Sequence, residues 1–374
     1  MQIDEFKLEH FFERHEFSAR YLLSSSDAET LDLAELVALA DDEMRDRWNE
    51  LRLGYTEVRG DPLLRAAVAD LYDEVDPEQV LMFAGAQEAI FAAMNVLVRR
   101  GDHVLVVTPT YQSLHSLSTA LGATVTKIEL NEGGDWSLDL DAVRAAIRPE
   151  TTLIVANVPN SPTGSLPSRA TFDGLIRLAR DSGAKLFLDE VYRFLEFDPG
   201  DRLPAAADAD ASALSLGVLS KSFGLAGLRV GWIATRDPEI YSRLVSFKHY
   251  LTICNAAPSE VLATIALRAP ETVLARVRGI VGSNLSVLDG FMQRRADLAR
   301  WVRPKAGTVG FVELLAPTPV DMLAEDLAHE EGVMLLPGSI FDHPGNYFRV
   351  GFGRVNMPDA LERLESFLDR VAER

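Results

Sequence analysis

The chain has 374 residues, 47% of them hydrophobic and 25% charged, enough for a large core and about two domains. Its 37 Lys and Arg against 56 Asp and Glu give a formal charge of −19, so the basic footprint of a nucleic-acid or anionic-membrane binder is missing. Cys254 is the only cysteine, which excludes a disulfide framework and a cysteine metal site, and the seven His show no metal-ligand spacing. With a charged N-terminus and no apolar run near the ~20 residues of a membrane helix, a cytoplasmic protein without membrane or nucleic-acid partners is expected.

Residues 5–20 are helix-like and carry Phe6, Phe11, Phe12 and Phe17. Ser24-Ser25-Ser26-Asp27 breaks that pattern and has two readings. Ser26 or Asp27 can cap a helix ahead of Glu29 and Leu31, the nearer expectation. Alternatively the run is a loop that covers a substrate, with Ser25 and Ser26 touching it. Residues 52–62 form a loop with Tyr55 exposed on it, and Asp61 caps a helix whose first residue is Pro62. From about residue 75 to 235 the chain alternates. Strands are expected at 80–83, 104–107, 124–128, 153–156 and 185–188, with helices between them, one starting at Gly85-Ala86-Gln87 and another over 172–179. This alternation predicts a mostly parallel sheet covered on both faces, with ligands beyond the strand carboxyl ends.

Those strand ends carry chemistry. Gly85, Ala86 and Gln87 open a helix, where free N–H groups and the dipole attract a phosphate. Tyr111 follows a strand and can stack on a flat ring. Asn157 and residues 159–164 follow another. Asp189 leaves an apolar strand, where a carboxylate is costly without a partner, and Tyr192 comes three residues later. An apolar run over 213–219 delivers Ser220 and Lys221 into a Gly-rich turn, and Arg229 opens the next apolar run. A lysine there can attack an aldehyde and an arginine can hold an anion; an imine-forming lysine with a phosphate anchor is what pyridoxal phosphate needs. Helical periodicity then covers 239–250, 259–267 and 273–300. The last part has short strands at 310–314, 333–336 and 347–350 with helices at 320–330 and 358–372, a compact α+β unit. Arg349, between apolar strand residues, is either a buried ion pair or a carboxylate fork.

Ser220-Lys221 with Arg229, Asp189 with Tyr192, and Asn157-x-Pro159-x-x-Pro162-Thr163-Gly164 resemble the motifs of fold-type-I pyridoxal-phosphate enzymes of the class I/II aminotransferase family. The resemblance runs from Tyr55 through Arg349. It implies an α/β fold with a mixed seven-stranded sheet, helices on both faces and a small α+β domain. Residues 41–285 would form the large cofactor domain and 286–374 the small C-terminal domain, with 1–40 joining the latter. It also implies pyridoxal 5′-phosphate as cofactor, an amino acid and a 2-oxo acid as substrates, and a homodimer with shared sites. By the same resemblance Lys221 is the cofactor-bound lysine and proton carrier, and Asp189 the partner of the ring nitrogen. Tyr192 donates to the ring hydroxyl, and Tyr111 stacks on the ring. Gly85, Ala86, Gln87, Ser220 and Arg229 hold the phosphate, and Tyr55 reaches the phosphate of the neighbouring subunit. Arg349 takes the substrate α-carboxylate.

Two positions depart from the family pattern. Ser161 stands where the family usually has Asn, leaving the ring-hydroxyl bond to Ser161, Asn160 or Tyr192. Val218 stands where a phosphate-binding Ser or Thr is common. Transamination is the expected reaction. Elimination, replacement or cyclisation is the alternative, because Ser24-Ser25-Ser26 and residues 111–114 resemble capreomycidine synthase, a family member that cyclises a hydroxylated arginine. No second carboxylate-binding arginine stands out; Arg14, Arg20, Arg52 and Lys248 are the candidates.

Overall fold

The computed structural model describes residues 2–372. Seven strands build the main sheet: β1 (Val80–Phe83), β2 (His103–Thr108), β3 (Thr124–Glu129), β4 (Thr151–Asn157), β5 (Lys185–Asp189), β6 (Leu214–Val218) and β7 (Gly231–Ala234). Their order is β1-β7-β6-β5-β4-β2-β3, and β7 alone runs against its neighbours. The sheet is therefore mixed, as expected.

Period-2 alternation sorts each buried strand between two faces. Leu81, Phe83, Val104, Val106, Leu153 and Val155 share one core with Ile90 and Met94 of the helix Ala86–Leu97. Leu105, Val107, Ile154, Ala156 and Leu186 meet Phe172, Leu175 and Ile176 of the helix Arg169–Ser182 on the other. Both faces are covered, so the polar groups that end the central strands can open only at the carboxyl edge. There Asn157 and Asp189 are direct partners in the β4–β5 ladder.

A second, wholly antiparallel sheet has the order β10-β11-β9-β8, from β8 (Ala299–Trp301), β9 (Val309–Leu314), β10 (Leu336–Pro337) and β11 (Tyr347–Gly351). The helix Pro270–Arg294 ties the two units together. Its Val273 and Leu274 belong to a core under the main sheet, and Val277, Leu285, Leu288 and Phe291 to the core of the small sheet.

The N-terminal segment is laid along the small sheet. Tyr21 N–H donates to the Gly332 carbonyl at 3.0 Å, Met334 N–H to the Tyr21 carbonyl at 2.8 Å, and Gly351 N–H to the Leu23 carbonyl. A Cβ at Gly351 would lie 2.1 Å from the Ser25 carbonyl oxygen, so only glycine lets the two backbones approach this closely.

Three expectations are corrected. The helix expected to reach residue 300 ends at Arg294, and Ala299–Trp301 forms an edge strand on β9. Of the strand expected over 333–336 only Leu336 enters the ladder; Val333 instead bridges Tyr21 of the N-terminal segment. Ser26 and Asp27 cap nothing, because the next helix, Leu33–Ala38, starts later with Asp32 and Glu35 forming its capping box. The 24–27 run is a cavity wall instead. Among the described residues no helix is long and apolar enough to cross a membrane, and no group of His, Cys, Asp and Glu could hold a metal ion.

Candidate active site

The carboxyl edge of the main sheet, the N-terminal segment and β11 enclose a cavity of about 540 Å³, a size that suits a small-molecule ligand. Lys221 enters it from the turn after β6, and its Nζ donates to Ser26 Oγ at 2.8 Å. The turn is held by Ser222, whose hydroxyl donates to the carbonyls of Val191 (3.0 Å) and Arg193 (2.7 Å), tying the lysine's backbone to the Asp189 loop.

Asp189 ends β5 only 5% exposed and faces the same space. Among the described residues its carboxylate accepts one hydrogen bond, a long one of 3.3 Å from Val191 N–H. Burial pushes the carboxyl up to about 7; the Val191 bond and the Lys221 charge pull only weakly the other way. A buried acid in this state is stabilised by a cation that comes with a ligand.

At the other end lies an anion site. Gly85 precedes the helix Ala86–Leu97 with φ 89°. A Cβ there would sit 2.5 Å from Arg229 Nη2, so the glycine lets the guanidinium lie against the helix start. Arg229 itself has φ 51°, a left-handed conformation costly for a side-chain-bearing residue, and among the described residues its guanidinium donates only to the Ala226 carbonyl at 3.2 Å. Ala86, Gln87, Ser220 and Val218 line the cavity beside it. Gln87 Oε1 is buried without a hydrogen-bond partner among the described residues. A 12-residue helix opening next to an arginine that meets no carboxylate among the described residues suits a phosphate.

Arg349 occupies the third corner, 2% exposed. Its Nε and Nη2 donate to one acceptor, the Ser24 carbonyl, at 3.0 and 2.7 Å. Burial draws the guanidinium down to about 10, so it stays protonated at neutral pH. A buried charge satisfied only by a carbonyl is incomplete. Of the two readings of Arg349, the internal ion pair is absent among the described residues; the side chain is free to take a carboxylate.

The remaining expected residues divide. Tyr192 lines the cavity and its hydroxyl donates to the Ser26 carbonyl at 3.2 Å, an oxygen that also accepts from Thr308 Oγ1 at 2.8 Å. Tyr111 lines it too, with its ring 5.0 Å from that of Phe6 and its hydroxyl 2.6 Å from Glu9 Oε1; burial and the Glu9 charge push the phenol well up. Ser161 reaches the cavity, and Asn157 beside it accepts from Ser161 N–H at 2.6 Å. Asn160 does not line it. Its amide is spent inside the turn, donating to the Pro109 carbonyl at 3.1 Å and accepting from Thr163 Oγ1 at 2.7 Å. Tyr55 stands 93% exposed, away from the cavity of its own chain. Ser25 and Ser26 line the cavity wall.

Sequence reasoning missed Glu9 and Glu16, which line the cavity from the N-terminal segment together with Asp27 of the 24–27 run. The only signal was the aromatic periodicity around them, which marks a packed helix but not what it packs against.

Comparison with known proteins identifies the family and the fold. The aminotransferase class I and II family matches residues 22–371. Capreomycidine synthase of Streptomyces vinaceus is 32% identical over 347 residues, covering 92% of this chain and 88% of that protein. Arginine–pyruvate transaminase of Pseudomonas aeruginosa is 31% identical over 77% of this chain and 74% of its own. The crystal structure of a PLP-dependent aminotransferase from Streptococcus suis superposes with a TM-score of 0.93 at 31% identity, covering 99% of both chains. With its family match spanning almost every described residue, the chain belongs to the class I and II aminotransferases.

Proposed function

We propose that this chain binds pyridoxal 5′-phosphate and moves the α-amino group between an amino acid and a 2-oxo acid. The observation that carries the reading is the convergence of Lys221, Asp189, Arg229 and Arg349 on one cavity. The donor set fits the cofactor: an amine for its aldehyde, a buried acid for its ring nitrogen, and a helix start beside an arginine that meets no carboxylate among the described residues for its phosphate. When bound, the cofactor supplies an electron sink for the pair released when the substrate Cα–H bond breaks.

The residues of the chain do the rest. Arg349 holds the substrate carboxylate, which orients the Cα–H bond toward Lys221. Lys221 Nζ would take the α-proton and return it on the far side of the amino nitrogen, so that water can release a 2-oxo acid and leave the amino group in the site; a second 2-oxo acid collects it by the same steps in reverse. Asp189 keeps a positive charge on the ring side of the site. Ser161 would replace the Asn of the family pattern as donor near the ring hydroxyl, since Asn160 is engaged in its turn; Tyr192 would join it by turning its hydroxyl from the Ser26 carbonyl. Tyr111 would stack on the ring, with Phe6 packed against it. The exposed Tyr55 supports a homodimer in which it reaches the neighbour's phosphate site.

A second reading, cyclisation or elimination on a modified amino acid, is favoured by one observation: the similarity to capreomycidine synthase covers 92% of the chain. One experiment separates the two. Single amino acids are added to protein loaded with cofactor, followed by 2-oxoglutarate or pyruvate, and the visible band is followed. Loss of the band with an amino acid and its return with a keto acid establishes transfer. Ammonia or a cyclised product released without a keto acid establishes the second reading. No band after adding cofactor overturns both.

A further inference from the structure

A second buried lysine lies outside the cavity and has a different task. Lys248 ends the helix Pro238–Lys248 and is completely buried. It does not line the space that holds Lys221 and Arg349, and neither do Arg14, Arg20 and Arg52. Among the described residues no carboxylate pairs with it. Its Nζ donates instead to three neutral acceptors, the carbonyls of Met82 at 2.5 Å and Val58 at 2.7 Å and Asn255 Oδ1 at 3.0 Å, one for each N–H of an ammonium. Burying a charge in this way is costly, and an apolar side chain of the same length would fill the space without that cost. What the ammonium adds is a single point to which three chain segments are fastened.

Those segments meet behind the phosphate end of the cavity. Met82 and Phe83 close β1, and two residues on Gly85 brings the chain to the helix start beside Arg229. Asn255 joins the grip, since its Nδ2 donates to the Phe83 carbonyl at 2.7 Å. Glu88 holds the same corner from within the helix. Its carboxylate accepts from Ala84 N–H at 2.5 Å, and from the N–H and Oγ1 of Thr252 at 3.1 and 2.7 Å. The third segment is the loop that carries Tyr55. Besides the Val58 carbonyl on Lys248, Thr56 Oγ1 donates to the Asn255 carbonyl at 3.1 Å, and the Arg59 carbonyl accepts from Met82 N–H at 3.1 Å. A Cβ at Gly60, where φ is 102°, would lie 2.1 Å from Met82 Cγ, so the loop runs hard against the end of β1. The side chain of Tyr55 is exposed, but the backbone that follows it is tied down.

We infer that Lys248 is a positioning residue for the phosphate end of the cofactor site, setting the Gly85 helix start and the Tyr55 loop as one unit. The inference rests on the cofactor reading above. Gly85, Gln87 and Arg229 can meet a phosphate together only if the turn over 83–85 keeps its shape, and the carbonyls that enter that turn, those of Met82 and Phe83, are held by Lys248 and Asn255. The same knot sets where Tyr55 is presented to a neighbouring subunit. Without the ammonium, the Met82 and Val58 carbonyls lose a partner in a buried place, and the turn and the loop are released together.

The test compares pyridoxal 5′-phosphate with pyridoxal, which has the same aldehyde and ring but no phosphate. Each is titrated into the full chain stripped of cofactor, and binding is read from the visible band. The ratio of the two dissociation constants measures what the phosphate contributes. In Lys248→Met that ratio should fall by about tenfold or more, while the pyridoxal constant stays within about threefold of wild type. A lysine that served only general stability would weaken both ligands alike or neither. Thr56→Val, nearly isosteric, removes the hydroxyl between the loop and Asn255 and should lower the ratio by about threefold. It decides alone if Lys248→Met does not fold. An unchanged ratio in either variant, or equal weakening of both ligands, would overturn the inference. A wild-type protein that binds the two ligands equally well is a different failure: it removes the phosphate site itself, and the cofactor reading with it.

Discussion

Removing the charge of Asp189 tests whether the site is built around an absent cation. In the unfolded chain this carboxyl titrates near 4, whereas burial in the fold raises it to about 7. Between those values the folded protein keeps a proton that the unfolded chain has released. A rising pH therefore costs stability, by ~1.4 kcal/mol per pH unit, until the group ionises in the fold as well. Asp189→Asn carries no such cost. Without cofactor, the stability of the variant relative to wild type should grow by about 2 kcal/mol between about pH 5.5 and about pH 8, and change little above that. Urea unfolding of both proteins across this range reads the difference directly. Adding the cofactor should reverse the order, because only the carboxylate gains a partner: wild type should rise in midpoint far more than the variant. A stability gap that stays level from pH 5.5 to 8, or an equal gain of both proteins with cofactor, would refute the argument.

Three further outcomes are expected. Gly85→Ala places a methyl 2.5 Å from Arg229 Nη2 at a backbone φ of 89°, so affinity for pyridoxal 5′-phosphate should drop by about tenfold or more in equilibrium dialysis; an unchanged affinity would remove the helix start from the phosphate site. Arg349→Lys keeps the charge but loses the planar fork, so kcat/KM for the amino donor should fall about a hundredfold while the visible band of the loaded protein stays intact; equal loss of the band would mean that the arginine supports the fold rather than the substrate. Tyr55→Phe and Lys221→Ala, each weakened or inactive alone, should recover activity when co-refolded if sites are shared between subunits, and mixtures no better than the sum of the two would count against sharing.

Much of the sheet was legible because its strands are short apolar runs, each closed by a residue that the sheet cannot easily bury. Asp189 after Leu186-Phe187-Leu188 and Lys221 after the run ending at Leu219 are cases where burial cost marks a site before any contact is known. Boundaries failed where tertiary pairing decided them. Val333 has strand character, yet its partner is Tyr21, more than three hundred residues earlier, and no local pattern encodes that. The capping reading of Ser26 and Asp27 failed for a related reason. Small polar residues serve equally well at a helix start and in a cavity wall, and the choice was made by Lys221 and Arg349, 195 and 325 residues away from their contacts. Glu16 was illegible altogether, since a glutamate at the end of an amphipathic helix looks the same facing solvent or a ligand.

The way the N-terminal segment is fastened has a consequence for how the protein comes into being on the ribosome. The segment is made before its backbone anchors, which are Gly332 and Met334 ahead of β10 and Arg349 and Gly351 of β11, with Arg354 just beyond. Until those are made, only its contacts with the large unit are available, among them Glu9 with Tyr111 and Ser26 with Tyr192 and Lys221. The strands of the main sheet are complete by Ala234, so the half of the site that faces a cofactor can assemble on a chain still being translated, while the half that faces a substrate cannot. Nascent chains stalled before residue 332 should therefore take up cofactor yet fail to discriminate among amino acids, and selectivity would arrive last, with the final few dozen residues.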